Sequence, residues 1–100
     1  SLVDALKVGA AIEEIDILDL YEAISRTDEA NIQRVYSQLL AGSENHLRGF
    51  VSLLESQTGE SYTPQYLSAD SYQAIISSNN AQQRGAQGQG GNRGGGGGRR

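Results

Sequence analysis

Apolar residues recur at three- and four-residue spacing from Leu2 to Ser25. Val3, Leu6, Ala10, Ile17, Leu20 and Ile24 fall on one stripe, with Glu13 among them, as in a helix that buries one side in a bundle. Ile12, Ile15 and Leu18 lie off that stripe, which predicts cover on more than one side. Arg26-Thr27-Asp28-Glu29 breaks the pattern. Thr27 or Asp28 is placed to accept from the first free amides of a following helix, and Asp28 and Glu29 suit its positive end. That second helix is predicted from Glu29 to Gln57. Its inner side is read as Ile32, Val35, Tyr36, Leu39 and Leu40, continuing through Ser43, His46, Leu47, Phe50 and Leu54. Gly42 and Gly49 lie inside it, each at a cost of about 1 kcal/mol relative to Ala. Gly59 supplies the stop. So short a connection makes the two long helices antiparallel neighbours.

Tyr62-Thr63-Pro64-Gln65-Tyr66 reads as extended, because Pro64 disfavours helix at Thr63. A short third helix is predicted next, with Ser68 as N-cap, Leu67 and Tyr72 at staple positions, and Tyr72, Ile75 and Ile76 as its apolar face. From Asn79 onward Gln, Asn, Gly and Arg cannot bury enough surface to offset chain entropy, so residues 79–100 read as a disordered tail after a helical domain over 1–78. The fold class is therefore all-α: an antiparallel helical hairpin, a short C-terminal helix and a disordered tail.

Charge divides along the same line. All twelve acidic residues precede the tail, against Lys7, Arg26, Arg34 and Arg48, so the helical part carries −8 and the tail +4. An acidic body argues against nucleic-acid binding by the helices. In the tail, Arg93-Gly94-Gly95 is the one close match to an RNA-binding Arg/Gly cluster, and no aromatic residue is interleaved. Composition favours a flexible, solubilising role there. No cysteine is present, which removes disulfides, thiolate catalysis and Cys-based zinc sites. No apolar run approaches the roughly 20 residues of a membrane span. The opening Ser1-Leu2-Val3-Asp4 resembles neither a signal peptide nor a natural start, and reads as the interior of a longer chain.

Candidate chemistry sits where carboxylates interrupt the apolar pattern. Glu13 and Glu14 stand in the first helix, and an ionised carboxylate in a bundle seam needs a partner. Counting from the turn, Glu14 lies about 13 residues before it and His46 about 17 after, nearly one level at 1.5 Å per residue. A carboxylate and an imidazole at one level make a metal-site constellation, with Glu13 and Asp16 as further acidic candidates. Taken alone, the same residues also suit a hydrogen-bonded core histidine and an acidic pair that is solvated or bridged to Arg48 or Arg34.

Three segments carry a resemblance: Ile12-Glu13-Glu14-Ile15-Asp16-Ile17-Leu18-Asp19-Leu20, Gly42-Ser43-Glu44-Asn45-His46-Leu47-Arg48-Gly49-Phe50, and Tyr62-Thr63-Pro64-Gln65-Tyr66-Leu67-Ser68. Together they resemble the C-terminal half of an uncharacterised prokaryotic family with a ferritin-like fold, related to rubrerythrin and ferritin. The resemblance implies half of a four-helix bundle, in which two helix pairs each give a Glu and a Glu-x-x-His to a di-iron centre. On that pattern Glu14 and Tyr21 match the Glu-x6-Tyr of one helix, and His46 matches the histidine of the next. The implied ligands are Glu14 and His46 and the implied cofactor is iron or manganese. Ser43 stands where the pattern has Glu, and the other helix pair is not in this chain. The expected partner is that N-terminal pair or a second copy forming a homodimer. A structural or assembly module without metal is the competing reading.

Overall fold

The computed structural model describes residues 1–78. The tail expectations, disorder and RNA contact alike, fall on residues 79–100 and lie outside the described residues. Three helices follow in order: α1, Leu2–Arg26; α2, Ala30–Thr58; and α3, Ala69–Ser77, with no strand among the described residues. The two long helices are antiparallel and packed together. None of the helices is long and apolar enough to cross a membrane.

Each end has a local cause. Ser1 Oγ accepts from the Asp4 amide at 3.2 Å and starts α1. Thr27 ends it in an extended conformation, ψ 141°. Glu29 caps α2, accepting from the Asn31 amide at 2.9 Å, where Thr27 or Asp28 was expected. The Thr27 hydroxyl is used one step earlier, on the Glu29 amide at 3.1 Å, and its carbonyl takes Gln33 Nε2. Gly59 closes α2 at φ 72°, a left-handed geometry that costs glycine no Cβ clash.

Residues 1–69 form one compact unit. Its buried apolar side chains are Leu6, Ala10 and Ile17 on α1, Leu47, Val51 and Leu54 on α2, and Leu67 beyond. The α1 stripe is thus the expected one. The α2 stripe is rotated around the helix from the expected one: Ile32, Val35, Leu39 and His46 are exposed, while Val51 and Arg48 are buried. The ten positions read as inner span about 140° of the helix, more than one neighbouring helix covers. The outer part of that arc faces away from α1.

Gly9 marks a close approach of the two helices. A Cβ built there would lie 2.6 Å from both Cε1 and Cζ of Phe50, so the ring rests directly on the glycine backbone. Replacing Gly9 with Val is expected to destabilise the hairpin by about 1–3 kcal/mol through overpacking. The penalty should shrink on a Phe50→Ala background, which a double-mutant cycle by urea denaturation measures. In the unit that begins at Asp70, Tyr72 and Ile75 are buried and Ile76 is half-buried, the face expected for the third helix.

Candidate functional site: a carboxylate latch and an acidic groove

Glu13 and Glu14 are adjacent in sequence, so their side chains leave α1 about 100° apart. They enter different environments. Glu14 is fully buried, at 0% exposure. The segment after α2 folds back over it, and the amides of Gln65, Tyr66 and Leu67 donate to its oxygens at 3.0, 2.8 and 2.9 Å. Tyr62 Oη adds a fourth donor at 2.5 Å. Glu55 supports the same segment, accepting from the Tyr62 amide at 2.9 Å. Burial pushes the Glu14 pKa up, but the Leu67 amide, the Tyr62 hydroxyl and the Tyr66 and Gln65 amides outweigh it, and the net shift is downward. Glu14 is a latch for the strap over residues 59–67.

The sequence argument that a buried carboxylate needs a partner therefore holds. Its partner is a run of three backbone N–H groups and a phenol. With those donors filling its oxygens, Glu14 does not meet His46. Glu13 does: His46 Nδ1 lies 3.3 Å from Glu13 Oε2. The inward placement expected of His46 is corrected as well, since its side chain is 66% exposed while that of Glu13 is 14% exposed. Rotation explains both corrections. Glu14 turns toward the flank the strap covers; Glu13 and His46 turn toward the open one.

The open flank is a shallow groove between the helices. One recess of about 540 Å³ is lined by Glu13, Asp16, Asp19, Leu39, Ser43 and His46 among others, and a second of about 520 Å³ continues it past Gly49, Phe50 and Leu53. Asp16 thus shares a groove with Glu13 and His46, as does Ser43. Among the described residues no group of three or more His, Cys, Asp or Glu side chains is placed to hold a metal ion.

A further cluster escaped the sequence reading. Arg48 is buried, at 8% exposure, and donates to Asn45 Oδ1. Burial raises the Glu44 pKa, and the charge of Arg48 pulls it partly back. The phenol of Tyr21 is raised too, by burial first and then by the Glu44 charge. Tyr21, matched by resemblance to the tyrosine of Glu-x6-Tyr, thus feels the Glu44 charge. The spacing Glu44–Arg48, one helical turn, was the available signal.

The chain is 53% identical over 79 residues to uncharacterized protein MJ0754 of Methanocaldococcus jannaschii, a match covering 79% of this chain and 42% of that protein. The crystal structure of hypothetical protein MJ0754 from Methanococcus jannaschii aligns with a TM-score of 0.72 at 53% identity, over 77% of this chain and 43% of that one. The chain spans less than half the length of this relative. Residues 1–79 match the family described as uncharacterized protein domain (DUF2202), and the chain belongs to that family.

Proposed function

We propose that this hairpin is an assembly module, one helix pair of a four-helix bundle with the ferritin-like arrangement, and that its role is to close against a second pair. The observation that carries the reading is the uncovered apolar surface. Ile32, Val35, Leu39 and Leu53 on α2, and Val8, Ile12 and Ile15 on α1, are exposed although their spacing is helical. The greater length of the relative supports it, since more than half of that protein lies beyond the matched part and could supply the second pair. A second copy of this chain is the other source. The chain by itself is expected to unfold with low cooperativity or to self-associate. Addition of the remaining part of the relative as a separate polypeptide is expected to raise its melting temperature, because a partner that binds only the folded state must do so. Sedimentation showing a compact monomer that melts sharply, with no response to that addition, counts against the reading.

A second reading, binding of iron or manganese, rests on the 3.3 Å approach of His46 to Glu13 with Asp16 in the same groove. The donors of this chain alone do not fit an ion. Glu14 is occupied by the strap, and Ser43 is a weak ligand beside a carboxylate. Further ligands would have to come from the second pair. Metal analysis of the assembled protein is expected to show bound iron or manganese that His46→Ala loses; no metal in either form overturns this reading.

A further inference from the structure

Seven positions on α2 keep alternating three- and four-residue spacing along the open flank: Ile32, Val35, Leu39, Gly42, His46, Gly49 and Leu53. That is an unbroken heptad seam, the pattern by which one helix receives another. All four aliphatic members are exposed. At Gly42 and Gly49 an added Cβ would meet nothing within 4 Å. The seam therefore has two notches, seven residues or about 10.5 Å apart. A glycine costs a helix stability at each site, and open space on this flank means that packing within the hairpin does not require either one.

Charge narrows the occupant. The groove beside the seam is lined by Glu13, Asp16 and Asp19, and among the described residues neither recess is lined by Lys or Arg. Its one basic group among the described residues, His46, already faces Glu13. A second copy would bring the same carboxylates against these, and residues 1–78 carry −8 in total. Like charges brought together in a partly desolvated interface oppose pairing, whereas Lys or Arg along the facing edge would be attracted.

We propose that the open flank of α2 receives a helix of different sequence, with large apolar side chains at seven-residue spacing seated over Gly42 and Gly49 and with Lys or Arg along the edge that meets Glu13, Asp16 and Asp19. This rests on the bundle-half reading and names the chemistry of the partner. Large knobs fill the notches, and the basic edge sets register and excludes self-pairing.

The test uses the full chain and two labelled synthetic helices of equal length. Both carry Leu at the seam positions; one has Lys on its flanks and the other Glu. Fluorescence anisotropy is expected to show the Lys-flanked helix binding at least about tenfold tighter, with the difference shrinking as salt is raised. Gly42→Leu with Gly49→Leu is expected to weaken that binding at least about tenfold while leaving the chain folded and at least as stable in urea, because both positions face open space and leucine is the better helix former. Asp16→Asn with Asp19→Asn is expected to reduce the preference for Lys. Equal binding of the two helices, or binding that the leucines leave unchanged, overturns the proposal but not the bundle-half reading. So does a preference for the Glu-flanked helix that appears only with added manganese, which marks a metal-bridged pairing instead. Binding of neither helix to a stable monomeric chain overturns both.

Discussion

Replacing Glu14 with alanine is expected to release the strap over residues 59–67 and to cost about 3–5 kcal/mol, since each buried donor that loses its acceptor costs about 1–3 kcal/mol and the strap can relax to wet some of them. Four donors converge on that carboxylate, and alanine leaves three backbone amides and a phenol without an acceptor in a water-poor site. A small helical unit has a total stability of only several kcal/mol, so the variant should be largely unfolded at room temperature by circular dichroism. Glu14→Gln keeps the shape but replaces one acceptor oxygen with a donor NH₂. It is expected to retain the helices and to speed amide exchange at Gln65, Tyr66 and Leu67 specifically. The pH dependence has a definite sign. The folded pKa of Glu14 lies below its ordinary value, so its contribution is present above the unfolded carboxylate range, near about 4.3, and fades as pH falls through the folded value. Protection at the three amides that Glu14→Gln leaves unchanged would overturn the latch.

This latch also shows which features could be read from the sequence and which could not. The long helices were legible because Leu6, Ala10 and Ile17, and Leu47 and Leu54, repeat at helical spacing, and Gly59 sits where a left-handed stop is needed. The burial of an acid near the centre of α1 was legible too. Its partners were not, because backbone amides have no sequence signature; any residue but proline supplies one. Pro64 was the faint clue. It has no N–H, and the run of donors begins at the next residue, Gln65. His46 was read inward because a stripe spanning 140° was assigned to one neighbour, when α1 covers only its inner part. Gly9 was not singled out, because nothing local to it announces the Phe50 ring that rests on it from another helix.

Arg48 was given the wrong partner for a different reason. The sequence offered it only as a bridge to the acidic pair on α1, yet it is 8% exposed beside a half-buried Glu44 on its own helix. The pair makes a prediction that separates it from the latch. Arg48→Met fills the same space without the charge, and is expected to cost about 1–2 kcal/mol at pH 7 by leaving a half-buried Glu44 without its compensating charge. Glu44 already has a folded pKa above its ordinary value, burial being the cause and Arg48 the restraint. Without Arg48 it must rise further. A carboxylate raised on folding takes up its proton in the native state first, so stability increases as pH falls through the folded value. The deficit of Arg48→Met should therefore shrink between pH 7 and about pH 5, a window above the unfolded carboxylate value in which the Glu14 contribution is still intact. Arg48→Met with Glu44→Gln removes the stranded charge and should recover most of the loss at pH 7. Urea denaturation of the four forms at both pH values decides it. A deficit independent of pH, or a double variant no more stable than Arg48→Met alone, would mean that Arg48 acts through its packing and not through the charge of Glu44.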